Sequence, residues 1–181
     1  MILSDSAIVE AVKRGAIVIG PWDPAACLGG NSYDVHLGPT LLTYHYGLLD
    51  AKAVNDVGEW HIEPVGIVLE PGELYLASTV EYTESHEHVP YLDGKSSVGR
   101  LGISIHATAG RGDVDFCGHW TMELSVIRPV RVYAGMPIGQ LTWHTVEGEV
   151  RTKYASKTSA KYASDPYDPR PRPSAMWKNF R

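Results

Sequence analysis

The chain has 181 residues, 44% of them hydrophobic, with 16 lysines and arginines against 21 aspartates and glutamates for a formal charge of −5. These values fit one globular domain and exclude a disordered acidic chain or a basic nucleic-acid binder. No apolar run approaches the roughly 18 residues of a membrane-spanning helix, and Met1-Ile2-Leu3-Ser4-Asp5 lacks the basic-then-apolar order of a signal peptide, so a soluble cytoplasmic protein with no membrane or nucleic-acid partner is expected.

Reading from the N-terminus, Ser4 is placed as the N-cap of a helix that runs to about Arg14. Leu3 and Ile8 form a hydrophobic staple, Ile8, Ala11 and Val12 share one face, and Gly15 is the stop. Helical periodicity then gives way to short alternating or apolar runs at residues 16–19, 32–37, 41–46, 67–69, 74–80, 103–107, 120–126 and 138–143, punctuated by 18 glycines and 12 prolines. Residues 47–66 are the natural place for an insertion or a small hairpin. The architecture expected is mainly β, a sandwich, barrel or jelly roll, with one N-terminal helix. The only two cysteines, Cys27 and Cys117, are too few and too far apart for a disulfide scaffold or zinc knuckle, and read as buried free thiols in a reducing compartment.

Two parts are expected, a β domain over residues 1–150 and a C-terminal tail over residues 151–181. The tail carries eight basic residues against two aspartates, whereas the preceding body carries eight basic and nineteen acidic ones. Its stretch Asp165-Pro166-Tyr167-Asp168-Pro169-Arg170-Pro171-Arg172-Pro173 cannot be regular structure. Such a tail is a solvated terminus, or a flap that brings cations to an anionic ligand.

Three stretches can carry chemistry. Asp93-Gly94-Lys95-Ser96-Ser97-Val98-Gly99-Arg100 offers backbone N–H groups, hydroxyls and cations of the kind that hold phosphate oxygens, without the spacing of a Walker loop; a polar surface turn explains the same letters. In residues 120–126, Trp120, Met122, Leu124 and Val126 alternate with Thr121, Glu123 and Ser125. Glu123 is then a solvent-facing strand carboxylate, or, if another element covers that face, a desolvated group suited to moving protons. Between them, the glycines and aspartates of His106-Ala107-Thr108-Ala109-Gly110-Arg111-Gly112-Asp113-Val114-Asp115 allow close backbone approach to a ligand, and Asp113 and Asp115 can meet a sugar hydroxyl or a hydrated metal. His86 and His88 are the closest histidine pair, but no third ligand stands at metal-site spacing, so a surface loop is expected there. A zinc nucleobase deaminase would need Pro-Cys-x-x-Cys, which is absent.

On these residues the chain resembles the dCTP deaminases, a branch of the dUTPase-like superfamily. The match covers nearly the whole chain. It starts at Met1-Ile2-Leu3-Ser4-Asp5 and continues through Asn31-Ser32-Tyr33-Asp34-Val35-His36-Leu37-Gly38 and Gly94-Lys95-Ser96-Ser97-Val98-Gly99-Arg100-Leu101-Gly102. It then runs from His106 through Gly118 to Glu123, through Gly135-Met136-Pro137-Ile138-Gly139-Gln140-Leu141, and to Ser159-Ala160-Lys161-Tyr162. The resemblance implies a distorted jelly roll or β-barrel with an N-terminal helix, assembled as a homotrimer with active sites between subunits. It implies zinc-independent deamination of dCTP at cytosine C4, with Mg²⁺ bound through the triphosphate, dTTP as a possible feedback inhibitor, and no metal held by the protein itself. Carried over, Glu123 is the acid/base, and Ser96 and Arg100 from a neighbouring subunit orient water and base. Lys95, Ser96, Ser97 and Arg100, with Tyr154 and Lys161 of the tail, hold phosphates. Asp113 meets the deoxyribose 3′-hydroxyl, the backbone of Ala107, Thr108 and Ala109 reads the pyrimidine edge, and Arg111 adjoins the nucleotide.

Within the family the product differs. Thr108-Ala109-Gly110 fits the branch that both deaminates and cleaves to dUMP and diphosphate, whereas Arg111 matches the branch that releases dUTP. Asp115 brings Val114-Asp115-Phe116 closer to the Asp-x-Asp-aromatic pattern of true dUTPases, which lack the glutamate seen at Glu123. Asp165 stands where the family usually has glutamine. The resemblance therefore points first to a dUMP-forming dCTP deaminase. The alternatives are a dUTP-forming deaminase, a dUTP pyrophosphatase and a non-catalytic nucleotide-sensing protein on the same fold.

Overall fold

The structure is a computed structural model that describes residues 1–45, 47–162 and 167–181. Tyr46, the end of the strand expected over residues 41–46, and Asp165 lie outside the described residues.

Helix α1 (Asp5–Lys13) begins as expected, with Ser4 Oγ accepting from the Ala7 amide at 3.3 Å, and buries Ile8 and Ala11. It leads into β1 (Ile17–Gly20) and the single-turn helix α2 (Pro24–Cys27), which is capped by the Asp23 carboxylate. Where the sequence suggests two strands, one twelve-residue strand forms, β2 (Tyr33–Tyr44). The strand runs through Gly38 and Pro39 because the ladder to its neighbour is bulged between Leu37 and Leu41, and a bulge tolerates both residues. Gly38 is packed so closely that a Cβ there would lie 2.9 Å from the Ser78 carbonyl oxygen. β3 (Val57–His61) pairs antiparallel with β2, so residues 47–66, expected to hold an insertion or a small hairpin, contribute one strand to the main sheet.

β4 (Ile67–Leu69) pairs with β9 (Val130–Val132) in a separate two-stranded sheet. β5 (Tyr75–Ser85) extends five residues beyond the predicted end and is followed by β6 (Val89–Gly94), the single turn α3 (Ser96–Gly99), β7 (Ile103–Ser104), β8 (Phe116–Val126) and β10 (Pro137–His144). The larger sheet runs β6-β10-β2-β5-β8-β7, with β1 also on β5 and β3 also on β2. Sharing β5 and β2 between several partners curls this sheet into a nearly closed barrel. The fold is thus a mainly β, distorted jelly roll with an N-terminal helix. Its interior holds Tyr33, Leu37, Met122, Leu141 and Trp143, with α1 docked through Ile8. No helix among the described residues is long and apolar enough to cross a membrane.

Candidate active site

Strand β8 keeps the alternation its sequence promises: Trp120, Met122, Leu124 and Val126 are buried, while Thr121 and Glu123 are half-buried on the opposite face. That face forms one wall of a cavity of about 810 Å³, which Glu123 lines together with Ala107, Thr108, Ala109, Arg111, Asp113 and Tyr154. The segment after β7 runs against β8. The Glu123 amide donates to the Ile105 carbonyl at 2.9 Å, and the Ala107 amide donates to Glu123 Oε2 at 2.9 Å.

Gly110 follows this segment, and its carbonyl accepts from the Leu92 amide at 2.7 Å. A Cβ at this position would sit 2.6 Å from the Leu92 carbonyl oxygen and 2.9 Å from His106 Nε2, so glycine is required by packing. Arg111 and Asp113 also line a second cavity of about 570 Å³. Asp113 Oδ2 accepts from Lys157 Nζ of the tail at 2.6 Å.

The tail crosses the chain's own cavity. The Tyr154 amide donates to the Val114 carbonyl at 3.0 Å, and the Tyr154 ring meets Phe116 edge-on at 5.5 Å. Further along, the Arg172 amide donates to Thr121 Oγ1 at 2.9 Å, and the Arg172 guanidinium lies 3.0 Å from Asp168. Three phenol hydroxyls latch this path: Tyr44 accepts from the Ser174 amide, Tyr154 from the Lys161 and Tyr162 amides, and Tyr162 from the Ala175 amide. Tyr44, Tyr162, Arg172 and Met176 line the cavity although sequence reasoning did not single them out. The excess of tail cations pointed to this segment without saying which of its residues arrive.

Five of the expected residues lie elsewhere in the same chain, since Lys95, Ser96, Ser97, Arg100 and Lys161 do not line the Glu123 cavity. Ser96, Ser97 and Arg100 are exposed on or beside α3, where Arg100 Nη1 donates to Ser96 Oγ at 3.2 Å. Lys95 is ion-paired with Asp34 on β2, which ties this loop to the Asn31-to-Gly38 stretch. Lys161 Nζ donates to Asn179 Oδ1 at 2.5 Å. Also on β2, the His36 amide and ring Nδ1 lie 2.9 and 2.6 Å from the buried Glu81 carboxylate.

The turn after β5, expected as a surface loop, is only partly exposed. His88 is buried, and Ser85 Oγ donates to its carbonyl. His86 has a carboxylate on each ring nitrogen, Asp115 Oδ1 at 2.8 Å from Nδ1 and Glu84 Oε2 at 2.8 Å from Nε2. The hydrogen bond to Asp115 raises the His86 pKa, with burial opposing and Glu84 assisting. Ligand atoms of Glu84, His86 and Cys117 lie within 4.8 Å of one another. The ladder explains the gathering, because Glu84 is opposite Cys117 across β5 and β8. Both cysteines are free, but only Cys27 is buried; Cys117 is half-buried, its thiol pushed up to about 11 by burial with Glu84 and Asp115 adding to the effect. Asp115, at φ 70°, points to His86 and does not line the Glu123 cavity.

The family model for dCTP deaminase-like proteins matches residues 2–146. The chain belongs to the dCTP deaminase-like family. It is 45% identical over 181 residues to a protein of Cytophaga hutchinsonii named "dCTP deaminase, dUMP-forming", covering 99% of each chain. Proteins with the same name from Leptospira biflexa and Clostridium acetobutylicum are 43% and 42% identical over 180 residues, covering 99% of this chain and 98% and 99% of theirs. Among solved structures, the 2′-deoxycytidine 5′-triphosphate deaminase of Agrobacterium tumefaciens superposes with a TM-score of 0.65 at 20% identity. That match covers 80% of this chain and 48% of the Agrobacterium chain, and it shows a shared fold.

Proposed function

We propose that the chain hydrolyses dCTP at cytosine C4, without zinc, and then cleaves the nucleotide to dUMP and diphosphate, supplying the cytoplasmic pool from which dTTP is made. The observation that carries this reading is Glu123: a half-buried carboxylate on a cavity wall, with Oε2 held by the Ala107 amide, beside a loop of backbone groups and the Asp113 carboxylate. The full-length relatives named as dUMP-forming dCTP deaminases support the substrate and the product.

In this mechanism one water replaces the 4-amino group, leaving a carbonyl and releasing ammonia, and a second water cleaves the triphosphate. Glu123 takes a proton from the attacking water and passes it to the departing amine. The Ala107 amide orients the carboxylate, and the backbone of Ala107, Thr108 and Ala109 reads the pyrimidine edge. Asp113 receives the 3′-hydroxyl once Lys157 lets go of it, and Arg111 adjoins the nucleotide. Ser96 and Arg100 of a neighbouring copy orient water and base, while Lys95, Ser96 and Ser97 hold phosphates with Tyr154 and Lys161 of the tail. The separation of α3 from the Glu123 cavity within one chain supports a homotrimer whose sites lie between copies. The tail then acts as a lid that excludes water from Glu123. dTTP, which shares the sugar and triphosphate, competes for the same site.

The donor set at Lys95, Ser96, Ser97 and Arg100 is cationic and hydroxylic, which fits phosphate oxygens and a Mg²⁺ that arrives on them. When bound, Mg²⁺ neutralises part of the triphosphate charge.

The test is incubation with dCTP and Mg²⁺, with ammonia and diphosphate read separately. Release of both is expected. Ammonia alone would make the product dUTP, the alternative that Arg111 favours. Diphosphate from dUTP with no ammonia from dCTP would make the protein a dUTP pyrophosphatase, and neither product would leave a nucleotide-sensing protein.

A further inference from the structure

We infer that the chain carries a second site, a transition-metal site of the Zn²⁺ class built from Glu84, His86 and Cys117, apart from the cavity that Glu123 lines. None of the three lines that cavity. They supply one carboxylate oxygen, one imidazole nitrogen and one thiol sulfur, the mixed donor set that borderline-soft divalent metals prefer over Mg²⁺ or Ca²⁺.

The geometry is close to a three-ligand site with an open fourth position for water. The ligand atoms lie within 4.8 Å of one another. Bonds of about 2.0–2.3 Å at tetrahedral angles place ligand atoms roughly 3.3–3.8 Å apart. Reaching that spacing takes side-chain movements on the order of an ångström, with Glu84 Oε2 and His86 Nε2 parting from 2.8 Å. The backbone is already in register, because Glu84 and Cys117 face each other across the β5–β8 ladder.

The surroundings add a second, independent indication. Metal-bound histidines usually donate their other ring N–H to a carboxylate, a backbone carbonyl or a water, which fixes ring orientation and directs the free nitrogen at the metal. Asp115 Oδ1 lies 2.8 Å from His86 Nδ1 and does so from a backbone at φ 70°, a region that residues other than glycine rarely adopt. The remaining oxygen of Glu84 is likewise held, with the Tyr82 hydroxyl donating to Oε1 at 3.0 Å. His86 Nε2 and Glu84 Oε2 are therefore turned toward each other, with the Cys117 thiol among the ligand atoms gathered within 4.8 Å.

On binding, the divalent cation takes the place of the proton between His86 Nε2 and Glu84 Oε2 and of the Cys117 thiol proton. Both protons pass to solvent, and the Nδ1 proton stays on the bond to Asp115. No electron is transferred. The metal would staple β5 to β8 at the end of the ladder from which residues 113–115 lead back to the cavity, so its role is to hold that segment.

The test is titration of the chelator-treated, reduced protein with Co²⁺ as a spectroscopic probe, in a phosphine reductant. A thiolate-to-Co²⁺ charge-transfer band should grow to one equivalent per chain, bleach when Zn²⁺ is added, and accompany a rise in Tm. Cys117→Ser should abolish the band, and His86→Gln should weaken binding at least tenfold. Asp115→Asn, which touches only the orienting hydrogen bond, should weaken binding about 10–100-fold. Cys27→Ala should leave the band intact, and so should Glu123→Gln, which separates this site from the proposed reaction. A featureless titration of the wild-type chain, or a band that survives Cys117→Ser, would overturn the inference. If Cys117→Ser does not fold, the His86→Gln and Cys27→Ala pair decides: equal affinity in both would overturn it.

Discussion

The Ala107 amide donates a 2.9 Å hydrogen bond to Glu123 Oε2, so the carboxylate is anchored by one oxygen to the very segment whose backbone adjoins it in the cavity. The carboxylate proposed as general acid/base and the loop proposed to read the ligand are thereby joined, so a change at one alters the other.

Glu123→Gln keeps an oxygen for the Ala107 amide but cannot take a proton from water. It should retain the wild-type Tm and nucleotide binding while ammonia release from dCTP falls by about two orders of magnitude or more. Near-normal release by the folded variant would remove Glu123 from the mechanism.

Because Arg100 lies outside the cavity that Glu123 lines in the same chain, the two are expected to meet between copies. Arg100→Ala and Glu123→Gln should each be inactive alone. Mixing and reassembling them should restore part of the activity, since some interfaces then join two intact contributors. Light scattering should give three times the 19.9 kDa chain mass. A monomeric mass in an active preparation would reject this arrangement.

Truncation after Val150 removes every tail contact over the cavity. kcat/KM for dCTP should fall on the order of a hundredfold while the assembly persists, and nucleotide should protect the intact tail from protease. Lys157→Ala, in contrast, deletes only a partly exposed ion pair with Asp113 and should change stability by no more than about 0.5 kcal/mol. Unchanged turnover by the truncated protein would make the tail decoration.

Gly110→Ala drives a Cβ against the Leu92 carbonyl and the His106 ring. Stability should drop by about 1–3 kcal/mol, read as a lower denaturant midpoint, and deamination should fall with it because Ala107 and Gly110 belong to one segment. A variant as stable as wild type would show that the strand and ring give way freely.

The legible parts of the sequence were those whose signal is local. The β8 alternation sets Glu123 apart from Trp120, Met122 and Leu124 by period alone, and Ser4 announces α1 by its own hydroxyl. The sequence suggests two strands where β2 forms because Gly38 and Pro39 usually end a run, and only the partner strand shows that they sit in a bulge. β9, no shorter than β4, is defined by its pairing with that strand and not by a local signal, and α3 is a single turn. In the cavity the missed residues arrive by long-range contacts, Arg172 through Thr121 and Ser174 through Tyr44, separated by 51 and 130 positions. The same holds for Glu84, His86 and Cys117, which strand pairing brings together and spacing along the chain does not.

The tyrosine latch bears on how this protein can change over time. Tyr44, Tyr154 and Tyr162 accept from main-chain amides of residues 174, 161, 162 and 175, so they grip the peptide backbone and are indifferent to the side chains those residues carry. The tail can therefore exchange most of its letters by drift and still be seated, provided none of the gripped positions becomes proline, which has no amide hydrogen to give. Variation should accordingly concentrate at the other positions of the strap, while its three fastenings, Tyr44 on the body and Tyr154 and Tyr162 within the strap itself, stay phenolic.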